Sequence, residues 1–300
     1  SMDVIMRSQV NSHYHLQMTL EINKTHLMSN IDGTNKMDPE SVNLVVTSPP
    51  YDNLREYNES STWNFDVFKQ VADGLVRVLK PGGVIAWNVA DAIVELHKKQ
   101  GTSRTGSSFR QCLYFQEQGL NFHDLIIYEK PAARFSASAT GKRYSDVFEY
   151  VFIMSKGTPD HMQVIADKKN KGFGTTFTKD GGRNKDGTRN RDAEKKQIAV
   201  KEFGVRHNIW RINNSCGAHG MPKDAYEHPA LMPQELADDL IRSYSLPGDL
   251  VLDPFMGSGT TARMAYKNDR NYIGFEIDET YHKLCEDING SIMNSVFDKL

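Results

Sequence analysis

The sequence predicts an α/β fold built on a mostly parallel, doubly wound sheet. Three observations point there: short β-branched runs stop at Pro- or Gly-rich turns, amphipathic helical stretches follow, and strand–helix–strand order occurs twice. A strand that returns to its sheet through a helix does so parallel and right-handed, so two such units define the architecture. At 300 residues, 39% hydrophobic and 25% charged, the chain has the composition of a globular protein able to bury a sizeable core.

The first thirty residues alternate weakly and read as an irregular or strand-rich lead-in. Ser41-Val42-Asn43-Leu44-Val45-Val46-Thr47 is a buried strand ended by two prolines, which lack N–H donors and fix φ. Phe65, Phe68, Val71, Ala72, Leu75, Val76 and Leu79 then share one helical face. Asn64 caps that helix, and Pro81-Gly82-Gly83 stops the chain past its end. Val84-Ile85-Ala86-Trp87-Asn88-Val89 completes the first unit as a second buried strand. Phe109 to Gln118 reads as a helix, while Leu125-Ile126-Ile127-Tyr128 and Val147 to Met154 read as strands.

At Gly157 the composition turns polar and stays so to about Tyr226; Gly172 to Arg191, dense in Gly and Asn, reads as mobile loop. Regular structure resumes with a helix from Pro233 to about Ser245. Strand Leu250-Val251-Leu252, a Gly-rich turn, helix Thr260 to Lys267 and strand Tyr272-Ile273-Gly274-Phe275 form the second unit, before a terminal helix from about Glu279.

No stretch approaches the ~20 apolar residues that a membrane span needs, so no membrane association is expected. His13, His15, Gln17, Glu21 and Lys24 interrupt any apolar run of signal-peptide type. Cys112, Cys216 and Cys285 are far apart and lack metal-ligand spacing, so no metal is expected and a reducing, cytoplasmic location is. The net charge of −2 conceals polarity: Asp167 to Arg211 holds thirteen Lys or Arg against six Asp or Glu, leaving −9 for the rest. Such a run is by itself a solvated loop.

Two segments carry chemistry. Asp253-Pro254-Phe255-Met256-Gly257-Ser258-Gly259-Thr260-Thr261 lies between a buried strand and a helix. Its glycines allow close backbone approach to a ligand, and the helix N-terminus offers free N–H groups. A phosphate loop would end in Gly-Lys-Ser/Thr, which is absent here, so nucleoside triphosphate chemistry is disfavoured. Glu276 ends the next strand, where an acidic residue is placed to bind ribose hydroxyls; Asp253 suits the methionine or ribose side of a cofactor.

The second segment is Thr47-Ser48-Pro49-Pro50-Tyr51. Its prolines stiffen the loop and hold carbonyls outward, so Ser48 Oγ and the Pro49 carbonyl present two acceptors to one primary amine. An exocyclic base amine is a poor nucleophile because its lone pair is delocalised into the ring. Accepting both its protons biases the nitrogen toward a pyramidal form whose lone pair can attack a sulfonium methyl. Tyr51 offers a flat face for a base, with stacking worth about 1–3 kcal/mol.

Ser-Pro-Pro-Tyr followed some two hundred residues later by Asp-Pro-Phe-Met-Gly-Ser-Gly-Thr-Thr resembles the amino-methyltransferases of DNA, in the motif order of their permuted β-group. Asn30-Ile31-Asp32-Gly33 is similar to the acidic turn near the cofactor's adenine in that family, and Leu79-Lys80-Pro81-Gly82-Gly83 to the approach to its next strand. His228-Pro229-Ala230 with Pro233 is similar to the helix leading into the cofactor loop. The resemblance implies a Rossmann-like S-adenosylmethionine-dependent methyltransferase fold with an inserted target-recognition region. It divides the chain into a catalytic half (1–156), a recognition region (157–226) and a cofactor-binding half (227–300).

It implies that Ser48, Pro49, Pro50 and Tyr51 are catalytic. S-adenosylmethionine would be held by Asp32, Thr47, His228, Pro229, Asp253, Pro254, Phe255, Gly257, Ser258, Gly259, Thr260 and Glu276. Double-stranded DNA would be the substrate, its target base flipped out of the stack. Arg183, Arg189, Arg191 and Arg206 are candidate contacts in the basic segment, with Arg55 and Tyr57 beside the catalytic loop. A cognate restriction endonuclease is a possible partner, and a monomer or a homodimer fits equally. Within the family Ser-Pro-Pro-Tyr leans to cytosine N4 and Asp-Pro-Pro-Tyr to adenine N6, so cytosine is favoured and adenine stays open. Methylation at carbon 5 needs a Cys nucleophile that no strand end here supplies. Methylation of protein glutamine or RNA would put the cofactor motif first, and a DNA-binding module without activity would not need every motif position filled.

Overall fold

A computed structural model describes residues 20–50, 63–95, 101–130, 143–144, 146–179, 182, 184–188, 190, 195–213 and 232–297. Along the chain run β1 (Lys24–Leu27), α1 (Asn30–Asn35), β2 (Val42–Thr47), α2 (Phe65–Val78), β3 (Leu79–Val89), β4 (Ile93–Glu95), β5 (Thr102–Arg104), α3 (Ser107–Glu117), β6 (Asn121–Glu129) and β7 (Phe148–Ser155). Then come β8 (Lys168–Lys169), β9 (Thr176–Lys179), β10 (Lys196–Ala199), β11 (Phe203–Gly204), β12 (Ile209–Arg211), α4 (Gln234–Tyr244), β13 (Leu250–Asp253), α5 (Thr260–Lys267), β14 (Asn271–Glu276) and α6 (Glu279–Phe297).

Eight strands form the central sheet in the order β1-β14-β13-β2-β3-β7-β6-β12. Every neighbouring pair is parallel except β7, which runs antiparallel to β3 and β6. The carboxyl ends of seven strands and the amino end of β7 therefore share one rim. Ligands of open α/β sheets lie outside that rim, at the switch between the halves.

Helices cover both faces, so the strands read as continuous apolar runs instead of alternating ones. On one face Leu44, Val46, Ala86 and Val151 pack with Leu236 and Leu240 of α4 and Ala262 and Ala265 of α5. On the other, Val45, Ile85, Trp87 and Phe152 pack with Phe68, Val71 and Leu75 of α2 and Phe115 of α3. The expected cap of α2 is present: Asn64 Oδ1 accepts from the amides of Asp66 and Val67 at 2.9 and 3.0 Å.

Two sequence expectations shift. Pro81-Gly82-Gly83 does not separate α2 from the next strand but forms an irregular strand entry, where the β2–β3 register jumps between Val42 and Leu44. The polar stretch after Gly157 is also more structured than its composition suggests. β9 pairs with β10 and β8 with β11 as short antiparallel ribbons, and β12 joins the central sheet beside β6. β12 has three residues, too few for a periodicity, yet Trp210 and Ile212 are buried in the core. The sheet thus reaches into the segment that the family resemblance assigns to recognition.

Candidate active site

β2 and β13 are parallel neighbours, with Leu252 opposite Val45, so their carboxyl ends lie side by side. Asp253 is turned inward and buried, and its carboxylate takes three protein donors. Thr47 Oγ1 donates to Oδ1 at 2.6 Å, Thr261 Oγ1 to Oδ2 at 2.6 Å, and the Phe255 amide to Oδ1 at 3.0 Å. Burial pushes its pKa up, and the bonds from Thr261 and Thr47 oppose that shift. Asp253 is the hub that ties the end of β2 to the glycine-rich loop.

That loop is fastened at several further points. The Met256 amide donates to the Phe275 carbonyl at 2.9 Å, and Asn30 Nδ2 to the Pro254 carbonyl at 3.3 Å. The Phe255 ring stands edge-on to Trp63 and Trp87, with centroids 5.3 and 6.4 Å apart. Gly259, the residue before α5, has φ +85°, and a Cβ there would lie 2.6 Å from Cys285 Sγ and 2.8 Å from Asn289 Nδ2. Only glycine fits. Beneath the loop, buried Arg263 donates from Nη1 to the Ser258 carbonyl at 2.6 Å and from Nη2 to Thr260 Oγ1 at 3.1 Å. Burial lowers its pKa to about 10.

Glu276 ends β14 on the same rim. Its Oε2 accepts from the Gly257 amide at 2.8 Å and its Oε1 from the Asp278 amide at 2.9 Å. Burial raises its pKa, with both amides opposing. Each carboxylate oxygen keeps capacity for another donor, as a pair of ribose hydroxyls would require. Asp32 lies in the first turn of α1, just beyond β1; its carboxylate accepts from Ser29 Oγ at 2.7 Å while the Asp32 amide donates back to Ser29 Oγ at 3.1 Å.

Ser48 and Pro49 follow β2 directly, next to the Thr47–Asp253 bond. Ser48 is half-buried, and Asn88 at the end of β3 places Nδ2 3.5 Å from Ser48 Oγ. Sequence reasoning missed Asn88; the signal was one polar residue at the rim end of an otherwise apolar strand. Tyr51, Arg55, Tyr57, Arg183, Arg189, Arg191, His228 and Pro229 lie outside the described residues.

Arg206 is placed differently from expectation. Its guanidinium donates from Nε to Asp167 at 3.0 Å and from Nη1 to buried Asp239 on α4 at 2.5 Å, and it lies over the Trp210 ring, 5.1 Å from the centroid. Its hydrogen bond to Asp167, opposed by burial and helped by Asp239, raises its pKa. It therefore pins the β8–β12 segment to the core. Exposed around that segment are Lys168, Lys169, Lys171, Lys179, Lys195 and Lys201, interleaved with exposed Phe173, Phe177 and Phe203.

Among the described residues no group of three or more His, Cys, Asp or Glu could hold a metal ion, and no helix is long and apolar enough to cross a membrane. The described cysteines, Cys112 and Cys285, are buried and free. Burial pushes both thiols up to about 11, which suits inert core residues.

Known proteins resemble this chain in sequence and in fold. The chain is 48% identical over 257 residues to the orphan methyltransferase M.BamHII of Bacillus amyloliquefaciens, covering 85% of this chain and 90% of that one. It is 28% identical to the type II methyltransferase M.MthZI of Methanothermobacter thermautotrophicus, over 84% of this chain and 72% of the relative. Among solved structures, the PvuII DNA methyltransferase, described as cytosine-N4-specific, shares the fold with a TM-score of 0.59 at 19% identity, over 87% and 84% of the two chains. A putative DNA modification methylase of Thermus thermophilus, solved with S-adenosyl-L-methionine, matches with a TM-score of 0.58 at 20% identity, over 88% and 91%. The family model for N6/N4 DNA methylases matches residues 42–287, and with a relative 48% identical over most of both chains, the chain belongs to that DNA methylase family.

Proposed function

We propose that the protein methylates the exocyclic amine of a flipped DNA base in a site-specific manner, with N4 of cytosine preferred over N6 of adenine. The observation that carries this reading is the Thr47–Asp253 bond, which joins the Ser48-Pro49 acceptors to the glycine-rich loop. Acceptors and loop then open on one crevice.

The residues fit S-adenosylmethionine. Glu276 would take the ribose hydroxyls, and residues 254–260 would line the methionine side. Ser258 Oγ, buried within that loop with no partner among the described residues, offers polar capacity there beyond what the fold uses. Asp32, in the first turn of α1 just beyond β1, would face the adenosine side. When bound, this cofactor supplies an electrophilic sulfonium methyl. The chain's own task is to hold the amine. Ser48 Oγ and the Pro49 carbonyl accept hydrogen bonds from its two N–H groups, orient the lone pair and keep it from conjugation, and one of those protons is lost to solvent once the methyl is attached. Pro50 stiffens the loop, and Tyr51 is assigned to stack on the base.

The exposed lysines and phenylalanines of the β8–β11 ribbons supply phosphate and base-stacking contacts for duplex DNA. Serine at position 48 is the residue that leans the reading to cytosine. Incubation with methyl-labelled cofactor and mixed-sequence duplex DNA, digestion to nucleosides and mass spectrometry test it directly. N4-methyl-2′-deoxycytidine is the expected product. N6-methyl-2′-deoxyadenosine would reassign the base, and label in neither would overturn the reading.

A further inference from the structure

Alternate residues of a strand face opposite sides, so the face of a rim residue follows from the core layer its strand neighbours join. Val46 of β2, Ala86 of β3, Val151 of β7 and Tyr128 of β6 all belong to the layer under α4 and α5. Two residues further toward the rim on that face come Ser48, Asn88, Glu149 and Lys130. β7 runs in reverse, so the step back from Val151 to Glu149 reaches the same rim. Four adjacent strands thus deliver four polar side chains in a diagonal row that steps toward the rim, since Asn88 lies opposite Val151 and Glu149 opposite Tyr128.

The row is connected. Lys130 forms an ion pair with Glu149. Asn88 Nδ2 donates to Glu149 Oε2 at 2.9 Å and lies 3.5 Å from Ser48 Oγ. Asn88 is 2% exposed and Glu149 7%, and Asn88 Oδ1 is buried with no partner among the described residues. Burying a carboxylate and an amide beside an apolar core is costly, and well-packed apolar residues would serve stability as well or better.

What the row does supply is direction. A carboxylate held by an ammonium accepts and does not donate, so Glu149 forces the Asn88 amide to present Nδ2 to the rim. Among the described residues no donor meets Oδ1, so the contacts of Asn88 that set its orientation are those of Nδ2. Nδ2 carries two hydrogens, one for Glu149 and one facing Ser48 Oγ. Occupying one lone pair of that hydroxyl fixes its rotamer and leaves the other lone pair for an incoming amine proton.

We infer that Asn88 is a positioning residue that aims the Ser48 hydroxyl at the target amine, and that the Glu149–Lys130 pair aims Asn88. This rests on the reading of Ser48 as amine acceptor given above.

A double-mutant cycle on the full chain tests it, with single-turnover methylation rate, DNA affinity and S-adenosylmethionine affinity as readouts. Asn88→Ala is expected to slow the methylation step by about 10- to 100-fold, the scale of a misplaced reacting group, and leave both affinities within about twofold. Added to Ser48→Ala, it is expected to slow the reaction no further. Glu149→Gln, nearly isosteric but free to let the amide turn, is expected to lower the same rate. If Asn88→Ala does not fold, Asn88→Leu, of nearly the same shape, carries the same test. Multiplying effects of Asn88→Ala and Ser48→Ala, or a normal rate in the single Asn88 variant, would overturn the inference alone. A normal rate in Ser48→Ala would instead overturn the reading on which it rests.

Discussion

Thr47 Oγ1 donates a 2.6 Å hydrogen bond to Oδ1 of Asp253, joining two strand ends that lie 206 positions apart in the chain. The contact holds the Ser48-Pro49 segment and the glycine-rich loop in one frame, because Asp253 also receives Thr261 Oγ1 and the Phe255 amide. A bond between two loops would drift with either of them. One between adjacent buried strand ends is as stiff as the sheet.

Thr47→Val keeps the branched shape and removes the donor. Asp253 then loses one of its partners while buried, which costs about 1–3 kcal/mol. The expected outcome is a lower urea midpoint with an unchanged denaturant slope, together with a slower methylation step. Thr47→Ser, which restores the hydroxyl, should recover most of both. Unchanged stability in the valine variant would show that the bond contributes nothing.

The frame itself was legible from the chain because its signals are local: a β-branched run stopped by two prolines, an Asn cap, and a strand ending in Asp before a Gly-rich turn. The long-range partners were not. Thr47 meeting Asp253 requires knowing that β13 inserts next to β2, and the row from Ser48 to Lys130 requires knowing that β7 runs in reverse between β3 and β6. Those are facts of strand order, which periodicity does not encode. Arg206 shows the same limit from the other side: a basic residue in a basic segment reads as a phosphate contact until Asp239 of α4 is seen against it.

That placement of Arg206 leads to a contrast between two substitutions. Arg206→Ala leaves Asp239 buried with Arg242 as its remaining cation among the described residues. A stability loss of about 1–3 kcal/mol is expected, with no change in the salt dependence of DNA binding. Lys179→Ala, on the exposed ribbon, should leave the melting temperature alone. It should reduce the slope of log affinity against log salt by about 0.9, the release of one phosphate counterion. Fluorescence anisotropy with duplex DNA across a salt series separates the two. A reduced slope for Arg206→Ala at full stability would return that residue to the DNA interface.

Two glycines give a graded test of the loop before α5. Gly119 and Gly259 both have positive φ, at +92° and +85°, but a Cβ at Gly119 meets nothing within 4 Å. Gly119→Ala should therefore cost only the left-handed backbone term, about 1 kcal/mol. Gly259→Ala adds the clash with Cys285 and Asn289 and should cost more, while lowering cofactor affinity because the backbone must shift where the ligand approaches. Thermal melts and calorimetric titration with S-adenosylmethionine measure both terms. Equal costs at the two sites would mean that α6 yields freely to the loop.

Glu276 yields a pH prediction whose two halves have opposite signs. Burial holds its folded pKa above the ordinary carboxylate value. The folded state therefore keeps this proton to a higher pH than the unfolded chain does. The group's contribution to stability is fully present below the unfolded value and is lost as pH rises through the raised one. Cofactor capture runs the other way, since the carboxylate accepts two hydroxyl donors best when ionised. Acidification through that window should thus stabilise the fold, relative to a Glu276→Gln variant, while weakening S-adenosylmethionine binding. The Gln variant removes this titration and should show neither trend, which also separates Glu276 from Asp253, whose pKa burial raises in the same direction. Urea midpoints and titrations at matched pH, wild type against variant, decide it. If acid weakens both stability and binding in the wild-type-minus-variant difference, Glu276 is held by its amide donors more firmly than burial opposes it.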